Sequence, residues 1–303
     1  MELGMIGLGR MGANMAQRLH QGGLRVTGYD PGEQARAQLQ AQGIATVAEL
    51  QALVQALPAP RVLWLMVPSK VVDASLDSLL PLLSAGDVVV DGGNSWYRQS
   101  QQRAARCAEQ GVGFVDCGTS GGVWGLQEGY CLMVGGEPAT VQRLAPLFQA
   151  LAPAAERGWA HVGPVGAGHF SKMVHNGIEY GMMQAYAEGF ALMAKKSEFE
   201  LDLAQVAEVW RHGSVVRSWL LDLSADALQR NPALDGIAPY VEDSGEGRWT
   251  VAEAIELDVP APVITLSLLE RLRSREDNSF TDRMLAAMRN EFGGHAIKRS
   301  EGG

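Results

Sequence analysis

Leu3-Gly4-Met5-Ile6-Gly7-Leu8-Gly9-Arg10-Met11-Gly12-Ala13-Asn14-Met15 is the stretch that decides the fold. An apolar run enters a Gly-x-Gly-x-x-Gly turn at Gly7, Gly9 and Gly12 and passes directly into a helical pattern, Ala13 to Gln21. Strand, glycine turn and helix in that order bring bare backbone N–H groups up to the pyrophosphate of a dinucleotide. The first glycine permits the tight turn, the second lets backbone approach phosphate, and the third lets helix and strand pack closely. Gly7, Leu8, Gly9, Arg10, Met11 and Gly12 are therefore the candidate cofactor loop. With 36 glycines in 303 residues the letters alone are weak, and their alternative is an ordinary glycine-rich turn. The flanking strand and helix, and an acidic residue at the end of the next strand, favour the dinucleotide.

That acidic residue is Asp30, which follows the strand Arg25 to Tyr29. Its carboxylate would accept hydrogen bonds from the adenosine ribose and repel a 2'-phosphate, which favours NAD over NADP. Like charges about 4 Å apart cost about 1 kcal/mol in water and about 4 kcal/mol at an effective dielectric of 20. Arg36 nearby weakens that discrimination, and Asp30 before Pro31 also reads as a plain turn or helix-cap residue.

Outward from this motif, short apolar runs alternate with helical stretches as far as residue 165, the pattern of a parallel sheet covered on both faces. Strands are expected at Leu3 to Ile6, Arg25 to Tyr29, Val62 to Met66, Val88 to Asp91 and Phe114 to Asp116, with others near Cys131 to Val134 and Ala160 to Val162. After Gly163 to Gly168 the alternation stops. A run from about His169 to Lys195 has helical periodicity, and further helices are expected at Leu203 to Trp210, Val216 to Leu228, Thr250 to Leu257 and Val263 to Arg273, before a polar tail after Phe292. The expected fold is α/β, a Rossmann-type N-terminal domain over residues 1–165 followed by an all-α C-terminal domain over residues 166–303.

Bulk composition narrows the partners. A chain that is 47% hydrophobic and 19% charged is too apolar for disorder and long enough for two packed domains. Its formal net charge of -9 argues against nucleic acid or an anionic membrane, which the average surface would repel. Cys107, Cys117 and Cys131 share no CxxC spacing, so neither a disulfide framework nor a metal knuckle is expected, and the chain reads as reduced and cytoplasmic. No run reaches the roughly 18 apolar residues of a membrane span, and no export signal precedes the first strand.

Within Gly166 to Tyr180 the polar residues Lys172, His175, Asn176 and Glu179 fall at i, i+3, i+4 and i+7, on one helical face. For an arbitrary helix this is a solvated stripe. Met173, Val174 and Ile178 on its flanks, and two glycines before it, favour a buried face turned to a ligand, and composition alone leaves the two readings level. Two upstream turns, Asp91-Gly92-Gly93-Asn94-Ser95 and Gly118-Thr119-Ser120-Gly121-Gly122, each follow a strand and offer small side chains and backbone N–H groups to a carboxylate or polyol. Either also reads as a plain turn.

Taken together, Gly7 to Asn14, Val89 to Tyr97, Phe114 to Gly122, Leu132 to Gly136, Gly166 to Tyr180, Glu246 to Thr250 and Arg289 to His295 closely resemble the decarboxylating 6-phosphogluconate dehydrogenases in their shorter bacterial form. The most specific segment is Lys172-Met173-Val174-His175-Asn176-Gly177-Ile178-Glu179-Tyr180, because related β-hydroxyacid dehydrogenases share the glycine loop and the lysine but not this run. The resemblance implies a metal-free reaction in which Lys172 takes the C3 hydroxyl proton during oxidation and Glu179 protonates C1 of the enediol left after loss of carbon dioxide. Because free lysine has a pKa near 10.4, that role needs surroundings that favour the neutral amine. It further implies Asn94, Ser120, Gly121, Gly122, His175 and Asn176 around the substrate's carboxylate and hydroxyls, and Tyr180, Arg271, Arg289 and His295 around its phosphate. Met11, Val67 and Asn94 would touch NAD. Arg289 and His295, in a C-terminal tail, would complete a neighbouring subunit's site, so a homodimer or homotetramer is implied. Where longer NADP-using members carry Asn-Arg-Thr this chain has Tyr29-Asp30-Pro31, Arg248 replaces a lysine, and Val123-Trp124 stands where acidic residues are usual. The runner-up activity is oxidation of a small unphosphorylated 3-hydroxy acid without decarboxylation, and a third reading is a non-catalytic NAD-binding regulator.

Overall fold

The computed structural model describes residues 1–293 and 296–298. The chain divides into two compact units, Met1–Gly177 and Ile178–Gly303, with the division falling inside one long helix.

In the first unit the elements are β1 (Glu2–Ile6), α1 (Arg10–Gln21), β2 (Arg25–Tyr29), α2 (Glu33–Gln40), β3 (Ala45–Val47), α3 (Leu50–Ala56), β4 (Val62–Leu65), α4 (Ser69–Leu79), β5 (Val88–Asp91) and α5 (Tyr97–Ala108). They continue with β6 (Gly113–Ser120), α6 (Gly125–Glu128), β7 (Cys131–Gly136), α7 (Pro138–Leu151) and β8 (Trp159–Gly163). The strands form one sheet in the order β3-β2-β1-β4-β5-β6-β7-β8. Chain order reverses direction between β1 and β4, the switch point where such sheets open a crevice.

The period-two alternation of a strand places successive side chains on opposite faces, and the core obeys it. Leu3, Met5, Val62, Trp64, Val88 and Val90 pack on one face with Met15 and Leu19 of α1 and Leu144 and Phe148 of α7. Ile6, Leu63, Leu65 and Val89 pack on the other with Leu53, Val72, Leu76 and Cys107 from α3, α4 and α5. Each fully buried Leu, Val or Phe stabilises the fold by roughly 1.5–3 kcal/mol, so a sheet covered on both sides is held tightly.

Two expectations about the sheet need correction. It is not wholly parallel, because β6 and β7 pair antiparallel with Cys117 opposite Val134 and Ser120 opposite Cys131. The connection between them is too short for the crossover that a parallel neighbour requires, so the chain turns back. The same pairing carries β6 on to Ser120, so Gly118, Thr119 and Ser120 are strand residues and only Gly121 and Gly122 belong to the turn. The short strand β3 was not foreseen; its three residues are too few to show a period.

The shared helix is α8 (Ala167–Lys195), the expected long helix. In the second unit follow α9 (Leu203–Arg211), α10 (Trp219–Arg230), α11 (Glu246–Glu256), α12 (Pro262–Arg273) and α13 (Phe280–Gly293). Asp202 and Ser218 cap α9 and α10 by accepting the N–H groups of Gln205 and Leu221 at 3.0 and 3.1 Å, which starts α10 at Trp219 rather than near Val216. Helix α13 corrects the tail expectation for Arg289, which lies within it; His295 lies outside the described residues. Among the described residues no helix is long and apolar enough to cross a membrane.

Candidate active site

The glycine turn has the backbone its letters call for. Gly7 takes φ +91°, and a Cβ there would stand 2.5 Å from the Met66 carbonyl oxygen and 2.8 Å from a Val67 methyl. A Cβ at Gly12 would run into the Gly7 carbonyl, so α1 can lie against β1 only with glycine there. Gly9 is the opposite case. A Cβ on it would meet nothing within 4 Å, and as N-cap of α1 it offers no side-chain acceptor to the first-turn N–H groups. Open space in front of a helix N-terminus without a capping side chain is what a phosphate group requires.

Asp30 closes this end of the sheet. Its Oδ2 accepts the Leu8 N–H at 2.8 Å and its Oδ1 accepts the Gly32 N–H at 2.8 Å. The turn-residue reading is therefore satisfied, and each oxygen keeps a lone pair for a ribose hydroxyl. Arg36 Nη1 donates to the carbonyls of Asp30 and Pro31 at 2.7 and 2.9 Å, so its guanidinium is engaged with this turn.

At the end of β5, Asp91 is fully buried and holds the turn that follows it: Oδ1 accepts Gly93 N–H at 3.1 Å and Oδ2 accepts Ser95 Oγ–H at 2.7 Å. Asn94 is exposed between the buried Gly93 and Ser95. A Cβ on Gly93 would stand 2.8 Å from the Val67 carbonyl oxygen, so the Asn94 turn and the candidate cofactor residue Val67 lie against each other. From α1, Asn14 Nδ2 donates to the Val123 carbonyl at 3.5 Å, which places the turn after Ser120, with Gly121 at φ +127° and Gly122 at φ +51°, beside the start of the dinucleotide helix.

Strand β6 and helix α8 bring Lys172 into the first unit. The buried carboxylate of Asp116 accepts the N–H groups of Gly166 at 2.7 Å and His169 at 2.8 Å, capping α8 from a strand 50 residues upstream in the chain. A Cβ on Gly118 would collide with the Lys172 Cβ and the Gly168 carbonyl, so helix and strand meet at bare backbone. Lys172 is 7% exposed and Asn176 is 8% exposed, so this part of the polar stripe is not a solvated face. His175 Nδ1 lies 3.0 Å from Asn176 Oδ1. His169, one turn before Lys172, is buried with Nδ1 at 2.7 Å from Ser100 Oγ.

In the second unit, Glu179 is half-buried and Tyr180 is buried on the same helix. The Arg271 guanidinium stacks on the Tyr180 ring 3.5 Å from its centroid and donates to the Glu242 carbonyl at 2.8 Å. These two predicted phosphate residues are brought together. Sequence reasoning missed Asp243 and Ser244 and left Arg248 without a role: Tyr180 Oη accepts the Ser244 N–H at 3.3 Å and donates to Asp243 at 3.4 Å, and Arg248 forms a salt bridge with Asp243. Burial presses the Asp243 carboxyl up, while the Arg248 guanidinium and the Gly245 N–H pull it down, and the balance lies below the usual carboxylate range. The signal was the cluster Glu242-Asp243-Ser244-Gly245 immediately before α11. Arg289 is exposed on α13.

Comparison with known proteins bears on the fold and the family. Residues 2–163 match the NAD binding domain of 6-phosphogluconate dehydrogenase and residues 168–284 match its C-terminal domain. An NAD(+)-dependent, decarboxylating 6-phosphogluconate dehydrogenase of Haloferax volcanii is 43% identical over 99% of this chain and 100% of its own length. YqeC of Bacillus subtilis, provisionally named a 6-phosphogluconate dehydrogenase, is 44% identical over 99% of this chain and its full length. Among solved structures, Plasmodium falciparum 6-phosphogluconate dehydrogenase superposes with a TM-score of 0.83 at 26% identity, covering 100% of this chain and 67% of that one.

Proposed function

Since the chain belongs to the 6-phosphogluconate dehydrogenase family, we propose that it oxidises and decarboxylates 6-phospho-D-gluconate to ribulose 5-phosphate and carbon dioxide in the cytoplasm, with NAD as oxidant. That reaction serves gluconate use and the pentose phosphate pathway. The observation that carries the proposal is Lys172, a buried amine seated on Gly118 and followed on one unbroken helix by Asn176 and Glu179.

On this reading residues 1–165 bind the dinucleotide. Gly7 to Gly12 hold its pyrophosphate and Asp30 its adenosine ribose, and Met11, Val67 and Asn94 touch it as well. The bound nicotinamide supplies the hydride acceptor. Residues 166–303 form the substrate and assembly domain. Lys172 accepts the C3 hydroxyl proton and then, as an ammonium, stabilises the oxygen that becomes an enolate when carbon dioxide leaves. Glu179 delivers a proton to C1 of the enediol. Asn94, Ser120, Gly121, Gly122, His175 and Asn176 hold the carboxylate and hydroxyls. Tyr180 and Arg271 hold the phosphate together with Arg289 and His295, the last two donated by a neighbouring copy in a homodimer or homotetramer. Arginine's planar fork suits a dianion, which lets an acidic protein bind one.

A panel of phosphorylated and plain aldonates and small 3-hydroxy acids, run with NAD and NADP, tests this. Expected is NADH and carbon dioxide in equal amounts from 6-phosphogluconate. NADH without gas from a small 3-hydroxy acid would replace the proposal with the simpler dehydrogenase, and tight NAD binding without turnover would replace it with a regulator. Lys172→Ala keeps the Cβ that packs on Gly118 and should abolish oxidation, whereas Glu179→Gln should slow mainly the protonation step. Parental rates in both variants would remove these residues from their roles.

A further inference from the structure

Asn94 is presented to solvent by a turn whose other residues are buried, and the groups that hold the turn converge on one side chain, Arg103 of α5. Arg103 is 1% exposed. Its Nη1 donates to Ser95 Oγ at 2.9 Å and to Asp91 Oδ2 at 3.3 Å, while Ser95 Oγ itself donates to Asp91 Oδ2 at 2.7 Å. Its Nε and Nη2 reach the Asp73 carboxylate of α4 at 3.0 and 2.9 Å. This bidentate pair holds the Asp73 carboxyl below the usual range and fixes the guanidinium plane. The turn has no slack on its far side: a Cβ at Gly92 would strike the Trp64 indole, and one at Gly93 would crowd the Val67 carbonyl.

We propose that Arg103 is a positioning residue that acts through Ser95 and Asp91 to set the Asn94 amide where the bound nicotinamide and substrate meet it. The inference rests on the reading of Asn94 as a ligand contact. The Arg103–Asp91 pair, buried on both sides, is of a kind often matched in stability by packed apolar groups of similar volume, so stability alone does not account for it. What it supplies is orientation. Arg103 meets the turn directly at Ser95, meets it through Asp91 at Gly93, and thus brackets Asn94 on both sides in sequence.

A double-mutant cycle between Ser95→Ala and Asn94→Ala tests the proposal in the full-length protein, read as Kd for NAD by calorimetry and as kcat and KM for 6-phosphogluconate. In the parent background Ser95→Ala should weaken NAD binding or kcat/KM by roughly 10- to 100-fold, the range for one lost hydrogen bond to charged groups. In the Asn94→Ala background the same change should cost less than about twofold, because there is no amide left to place. Arg103→Lys keeps the charge but loses the fork, and should fall with Ser95→Ala. Equal losses in both backgrounds would reduce the cluster to a structural role and overturn the inference. So would unaltered NAD affinity and kinetics in Ser95→Ala, or in Asn94→Ala. A parent that binds NAD but leaves 6-phosphogluconate untouched would sink the substrate assignment instead, and the cycle in NAD affinity would still decide for or against Arg103.

Discussion

Asp30 and Asp116 both stand on or just after strands and both accept two backbone N–H groups, yet only one was legible in the sequence. Asp30 is found by counting from the glycine turn to the end of the next apolar run. Asp116 gives no such signal, because its partners Gly166 and His169 lie about 50 residues away and a buried cap is visible only once β6 and α8 have met. Helical spacing puts Lys172, His175, Asn176 and Glu179 on one face but leaves a ligand face and a solvated stripe level, and the tie from Asp91 to Arg103 was hidden, since an arginine on an amphipathic helix reads as solvated. The proposed cofactor choice gives a prediction at this scale. Asp30→Ala should raise the NADP-to-NAD ratio of kcat/KM by at least several-fold, measured side by side; a parent already faster with NADP would show the premise to be wrong.

At the scale of elements, strands and helices with strong periods were where the sequence put them, and the misses have physical causes. Antiparallel β7 was hidden because apolar alternation does not encode direction. Helix α13 did carry a signal, in Phe280, Met284, Leu285 and Met288 at i, i+4, i+5 and i+8 after Ser279, whose Oγ accepts the Asp282 N–H at 3.3 Å. Helix α8 depends on its strand-borne cap. Asp116→Ala would leave two buried N–H groups without their acceptor, at about 1–3 kcal/mol each, so the first unit should lose roughly 2–6 kcal/mol in denaturant unfolding. A loss below about 1 kcal/mol would show that α8 does not rely on it. The turn before α11 depends on pH. Because the folded Asp243 carboxyl titrates below its unfolded value near 3.9, its contribution is complete above about pH 4 and fades as pH falls through the lowered folded value. Asp243→Asn should therefore be less stable than the parent by about 1–2 kcal/mol at pH 7, with the gap narrowing as pH is lowered below the unfolded value. A gap of constant size in urea titrations at pH 7 and at the lowest pH where both proteins fold would contradict that.

Across the whole molecule, composition sets the expectation of a chain long enough for two packed domains and of partners that a charge of -9 does not repel. It did not foretell how unevenly apolar surface is shared. Among the described residues the first unit exposes few large apolar side chains, while the second exposes many, including Leu192 at 73%, Ile255 at 73%, Val263 at 66% and Phe280 at 71%. Surface of that kind is usually covered by another chain. Sedimentation at micromolar concentration should give a multiple of 32.5 kDa, and Leu266→Asp with Leu269→Asp on α12 should lower it; a parent that sediments as a monomer would contradict the proposed assembly. The carboxylate that ties Leu8 to Gly32 bears on the protein's history. On the proposed reading that one side chain would also face the nucleotide's sugar, so any replacement that relaxes coenzyme choice also cuts two anchors of the main chain. A lineage drifting toward the phosphorylated coenzyme would then trade turn stability for selectivity.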